Sequence, residues 1–271
     1  MRKLIICADD FGMTEGVNEG ILLAYKSGVV SDTSLLTNGL ATSNAVKIIK
    51  QNKMSVGLHI NLTSYSPLSP VNKVKTLCKG NRFHTPDLAN WDFSFLNKAN
   101  PKEIEREIYA QFNFFRNKLG FLPSHINSHK CEHGDPSIYK VIEKIAIKFN
   151  IPIRIPYWNF KPNYAAEAEL RRAGVIMPDN LAPVDFYEGL NIDLNTIDVF
   201  VKSLPEGVTE IVSMPGFVDE KLLSVTQYQW QRARTLAIML EPQFKEKLKK
   251  ANMKLISFND FRTEKIKELK L

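Results

Sequence analysis

Short apolar runs alternate with longer stretches of helical period along most of the chain. The first run, Leu4-Ile5-Ile6-Cys7-Ala8, is too short for a helix and leads into Asp9-Asp10-Phe11-Gly12, which predicts a buried strand ending in a polar loop. Val17, Ile21, Ala24 and Tyr25 then follow helical spacing, with Gly28 as a stop. Ser31 to Leu36 predicts a second strand, Ala45, Ile48 and Ile49 a second helix, and residues 55–62 a third strand carrying His59 near its C-terminal end. A β-α-β-α-β order favours a parallel sheet with its reactive residues at one rim.

Residues 64 to 100 break this rhythm with Pro, Ser, Lys and Asn, and they read as an inserted lid or binding loop. Asn100 as N-cap and Pro101 at the first helical position restart it, with Ile104, Ile108, Phe112, Phe115 and Leu119 on one face. Residues 123–133 predict a strand running into a polar loop, and Asp135-Pro136 caps a helix with core face Ile138, Val141, Ile142, Ile145 and Phe149. Further strands are expected at Ile151 to Ile155, Val175 to Met177, Val208 to Met214 and Lys254 to Phe258. The whole of residues 1–271 is therefore expected to be a single domain, one distorted (β/α) barrel of seven to eight mostly parallel strands.

Composition narrows the function. The 271 residues are 44% apolar and 24% charged, ordinary for a globular protein. The formal net charge of +7 comes from basic residues scattered over helix faces and argues against a nucleic-acid surface. Three widely spaced cysteines, Cys7, Cys78 and Cys131, imply no disulfide framework. No run is long enough to cross a bilayer, and the apolar run before Asp9 is too short for a signal-peptide core, so cytoplasmic residence is the expectation. A homodimer stays open.

The candidate chemistry lies at predicted strand ends. Adjacent carboxylates repel one another, so Asp9 and Asp10 call for a cation or a shared proton. Three of the five histidines, His125, His129 and His133, fall within nine residues, and His59 ends a neighbouring strand. Imidazoles with a carboxylate make a mixed nitrogen and oxygen set suited to a divalent cation with open positions. On a regular strand His125 and His129 would face the same side.

The stretches Ala8-Asp9-Asp10-Phe11-Gly12, Val56-Gly57-Leu58-His59-Ile60-Asn61-Leu62-Thr63 and His125-Ile126-Asn127-Ser128-His129 resemble, in order and spacing, the three signature motifs of the YdjC-like carbohydrate deacetylases, the family containing chitooligosaccharide deacetylase. The resemblance implies a deformed β/α barrel with an ion, Mg2+ or else Zn2+, held by Asp10, His59 and His129. It further implies Asp9 as the base that takes a proton from water, and Arg154 as an arginine following the histidine strand. His125, Asn127, Arg154 and Trp158 are candidate substrate contacts. The activity implied is hydrolysis of the acetamide of an N-acetylated amino sugar or short oligosaccharide.

Three positions depart from the family pattern. Asn127 stands where an aspartate is usual, Cys131 where a histidine is usual, and Met214 where a histidine before the proline is thought to protonate the leaving amine. Methionine cannot supply that proton, and loss of a general acid costs about 10²–10⁴-fold in rate. Two alternatives therefore stay open: a weakly active or non-catalytic sugar-binding protein on the same scaffold, and a metal-dependent phosphohydrolase.

Overall fold

In a computed structural model of the chain, residues 2–86, 92–158, 161–182 and 197–268 are described. Among the described residues seven strands form one parallel sheet: β1 (Lys3–Phe11), β2 (Asp32–Leu36), β3 (Val56–Ile60), β4 (Ile126–Ser128), β5 (Asn180–Ala182), β6 (Val208–Ser213) and β7 (Lys254–Leu255). The spatial order is β4-β3-β2-β1-β6-β5, and β7 pairs with the first residues of β1, on the edge that β2 takes over further along. Helices on the outer surface include α1 (Glu15–Ser27), α2 (Thr42–Asn52), α3 (Pro101–Leu119), α4 (Pro136–Phe149), α5 (Trp230–Leu240) and α6 (Phe258–Glu268). Their caps follow local chemistry: Thr14 accepts from Val17 N, Asn100 from Lys102 N and Asp135 from Ser137 N.

Side-chain alternation on β1 divides the core into two layers. Leu4, Ile6 and Ala8 pack outward with Val17, Ile21 and Ala24 of α1. Ile5 and Cys7 point inward to meet Val208, Ile256, Phe258 and Phe261. The sheet thus curls into a half-barrel with a filled interior and surrounding helices.

Two expected strands are not strands. Ile151 to Ile155 makes one parallel bridge, Ile126 with Ile153, because Pro152 and Pro156 lack the N–H groups a ladder needs. Residues 175–177 contribute a carbonyl, Ile176 O, to Ile153 N at 2.9 Å, and the strand beyond Pro178 starts at Asn180. These bonds continue the curl past β4. The stretch expected as an insertion holds a hairpin of Cys78–Lys79 with Arg82–Phe83 and a short helix, Ser94–Lys98. Its Val74, Leu77, Phe83, Phe93 and Leu96 are buried in the main core, so much of it is anchored to the barrel.

Candidate active site

β1 does not end before its acids but runs through them to Phe11. Its pairing with β2 shifts register between Ala8 and Phe11, and Asp10 adopts φ 70°. This irregularity breaks the alternation that would send Asp9 and Asp10 to opposite faces, and both carboxylates reach one site. An aspartate tolerates the left-handed region better than most residues.

Asp10 is the point of convergence. Its Oδ1 lies 2.8 Å from His129 Nδ1 and 3.3 Å from His59 Nε2, and its Oδ2 accepts from Arg232 at 2.6 Å. Ligand atoms of Asp10, His59 and His129 all lie within 4.8 Å of one another. Burial opposes the charge on Asp10, but His129 and Arg232 outweigh it and hold the carboxyl well below the usual range. His129, pushed down to about 4 by burial against the pull of Asp10, is neutral, the form that ligates. One ionised carboxylate and two imidazoles in a buried pocket fit a divalent cation by donor chemistry and spacing.

Asp9 sits beside this group in a cage of donors. Oδ1 accepts from Ser34 at 2.8 Å, Asn127 at 3.0 Å and Arg154 at 2.9 Å, and Oδ2 accepts from Arg154 at 2.5 Å. Burial works against its charge, yet Arg154, and after it His59, hold it at about 2. Arg154 also donates from Nε to Glu210 on β6 at 2.8 Å. With 3% of its side chain exposed and both faces engaged by carboxylates, Arg154 reaches a substrate only through Asp9.

Asn127 explains its own departure from the expected aspartate. Its Oδ1 accepts from His59 Nδ1 at 2.7 Å while its Nδ2 donates to Asp9. An amide can do both at once, whereas a carboxylate would accept from the ring and repel Asp9. The bond places the ring proton on Nδ1 and leaves Nε2 for the Asp10 side. Asn127 is fully buried, so it orients these two groups.

His125 and His129 do not share a task, because β4 ends at Ser128 and His129 opens a 3-10 turn. His125 lies inside the barrel, fully buried, stacked on Phe258 at 3.9 Å with Ser124 Oγ 3.0 Å from Nδ1. It has no surface for a substrate. Trp158 is half-buried on a hairpin, its ring 5.2 Å from Phe93. Trp91 and Phe160, the other loop aromatics expected to be able to stack on a sugar face, lie outside the described residues. The half-buried Cys131, its thiol pushed up to about 12 by burial, stands outside the Asp10 group. Parallel register sets Ala8 against Ser213, so Met214 leaves the end of β6 at the same rim where Asp9 follows Ala8.

Three site residues escaped the sequence reading. Glu210 is a lone acid in the apolar run of β6, a detectable signal. Ser34 and Arg232 carried none: Arg232 is one of two arginines two residues apart on α5, and only the fold shows it buried and Arg234 exposed.

A curled parallel α/β barrel with a carboxylate and two imidazoles converging at its rim, and a second carboxylate alongside, defines the class as a hydrolase-type barrel with a candidate cation site at its rim. The chain belongs to the YdjC-like protein family, whose model matches residues 3–250. It is 31% identical to a carbohydrate deacetylase of Geobacillus stearothermophilus over 96% of this chain and 98% of the relative. It is 30% identical to a chitooligosaccharide deacetylase of Yersinia enterocolitica over 96% and 99%. A crystal structure from Enterococcus faecalis, described as that of a putative cellobiose-phosphate cleavage protein, superposes with TM-score 0.84 at 28% identity over 96% of this chain and 98% of that one.

Proposed function

We propose that this protein is a metal-dependent carbohydrate deacetylase that hydrolyses the acetamide of an N-acetylated amino sugar or short oligosaccharide. The observation that carries the reading is the meeting of His59 Nε2 and His129 Nδ1 on Asp10 Oδ1, with the ionised Asp9 next to it. The names of the relatives agree with it. Asp10, His59 and His129 would hold the ion, with Mg2+ as first choice and Zn2+ as second. A divalent ion there supplies Lewis acidity, making water a stronger acid and the acetyl carbonyl a better electrophile.

The chain's own residues set the rest. Asp9 accepts the proton of the attacking water. At about 2 it is a weak but always ionised acceptor, so its part is correct placement more than basicity. Arg154, Ser34 and Asn127 fix that placement, and Arg232 holds the second oxygen of Asp10 so that Oδ1 faces the ring nitrogens. The leaving-group side of the reaction is less complete: Met214, just past the end of β6, brings no proton to a leaving amine.

That position favours the second reading, a sugar-binding protein that hydrolyses slowly or not at all. Metal-loaded protein incubated with diacetylchitobiose and other acetylated sugars, with released acetate assayed, separates the two. Acetate release supports the deacetylase, and binding without acetate supports the alternative. Asp10→Ala or His129→Ala is expected to lose bound metal, read by elemental analysis, while keeping the wild-type circular dichroism. Unchanged metal content would reject the ligand set.

A further inference from the structure

A buried hydroxyl stands beside this site without a partner. Tyr65 lies on the loop that follows the His59 strand, and its backbone is in the left-handed region at φ 65°, which a bulky side chain rarely adopts. Bonds from three directions hold the loop there. The Tyr65 carbonyl accepts from Phe83 N at 2.9 Å, the Ser66 carbonyl accepts from Asn38 Nδ2 at 3.0 Å, and the Ser64 hydroxyl accepts from Lys130 Nζ, next to His129, at 3.1 Å. The side chain is 7% exposed, and its ring belongs to the main apolar core. Backbone strain of this kind persists where the surroundings over-determine it, and it clusters at active sites.

The charges acting on the phenol locate it. Burial, and after it the charge of Asp10, raises the phenol well above its ordinary value, while Arg232 and Arg82 pull the other way. Asp10 and Arg232 are themselves joined at 2.6 Å, so the hydroxyl lies within the field of the pair at the centre of the site. Among the described residues no hydrogen bond reaches its oxygen. A buried tyrosine normally finds a partner for its O–H. A phenol raised in this way keeps its proton through the working pH range, and what it offers an occupant of the pocket is a donated hydrogen bond.

We propose that Tyr65 is a catalytic residue whose hydroxyl donates a hydrogen bond to the acetyl oxygen of the bound acetamide as that oxygen becomes an oxyanion. This rests on the deacetylase reading of the site. As the water oxygen bonds to the carbonyl carbon, the π pair of the C=O moves onto the acetyl oxygen, and Asp9 takes the water's proton. When the C–N bond breaks, that pair re-forms the carbonyl, and the nitrogen keeps the bond's electrons and receives the proton from Asp9, giving acetic acid and the free amine. The phenol proton is shared but never transferred, so no further reactant is needed. Its hydrogen bond strengthens as charge builds on the oxygen, which lowers the barrier instead of merely tightening substrate binding.

Tyr65→Phe keeps the ring in the core and removes only the hydroxyl. With Mg2+-loaded protein and diacetylchitobiose, the variant is expected to lose about 10²–10³-fold in kcat, read as acetate release. Its KM should stay within about twofold of wild type, with bound metal and thermal melting unchanged. Methylphosphonate, whose tetrahedral anionic oxygens mimic those of the adduct, provides a readout without turnover. Calorimetry on the Mg2+-loaded proteins should show it bound about ten- to a hundredfold more weakly by Tyr65→Phe. A variant with wild-type kcat overturns the proposal, as does one whose loss lies in KM alone. No acetate from the wild type with any acetylated sugar tested, together with weaker methylphosphonate binding by the variant, would sink the deacetylase reading and leave the hydroxyl as a donor to an oxyanion. An inactive wild type with equal methylphosphonate affinities in the two proteins would end both.

Discussion

Removing Arg154 tests whether the buried ion network works as described. In Arg154→Met the methionine keeps much of the side chain's bulk while Asp9 and Glu210 lose the guanidinium they share. Asp9 titrates at about 2 where an unfolded chain would show the ordinary 3.8, which corresponds to about 2 to 3 kcal/mol of stability at pH 7. The sign follows from the depressed value: the contribution is complete above the unfolded-state pKa and is lost as pH falls through about 2. Stranding a buried carboxylate adds to this loss, so the variant should be about 3–5 kcal/mol less stable at pH 7. Burial without the guanidinium drives Asp9 above 3.8, and the buried Glu210, already raised, goes higher. As pH drops below those values both acids protonate in the variant, and the gap narrows by about 1.4 kcal/mol per pH unit for each of them. Urea denaturation of metal-free protein in EDTA between pH 7 and 4.5 reads the gap directly. A gap of the same size at both pH values would mean lost packing alone, and the ion-network account would be wrong.

Other perturbations probe separate parts of the site. Asn127→Asp places a third carboxylate against Asp9 Oδ1, so the acid limb of kcat/KM should move up by about one pH unit or more, and an unchanged limb would contradict the bridging role. Gly57→Ala puts a Cβ against the His125 ring, closer than real contacts allow, and should cost about 1–3 kcal/mol in thermal or urea melts. A variant as stable as wild type would show that the His125 ring is not wedged as described. Cys131, its thiol raised to about 12, should alkylate slowly with iodoacetamide at pH 8 in the folded protein, with no acceleration on adding EDTA. Fast labelling released by chelation would make it a metal ligand after all.

How far the sequence could be read depended on whether each feature was local. The capped helices at Asn100 and Asp135, and the β-α-β-α-β opening, follow from neighbouring residues and appear in the structure at those positions. The strands at Ile151 and Val175 did not survive, because apolar periodicity takes no account of the N–H groups that Pro152 and Pro156 withhold from a ladder. Asp9 and Asp10 were visible as a pair, but the left-handed twist at Asp10 that turns both into one pocket was not, since nothing in Asp-Asp-Phe-Gly distinguishes a bulge from a turn. The deepest gap concerns partners that meet across the barrel. Arg232 lies 222 residues from Asp10 and Glu210 lies 56 from Arg154. A buried guanidinium on α5 and a buried acid on β6 acquire meaning only when the curl of the sheet brings them to the ends of β1. The acids that hold the centre were therefore legible, and the arginines that keep those acids ionised and aimed were legible only in part: Arg154 through its place after the histidine strand, and Arg232 not at all.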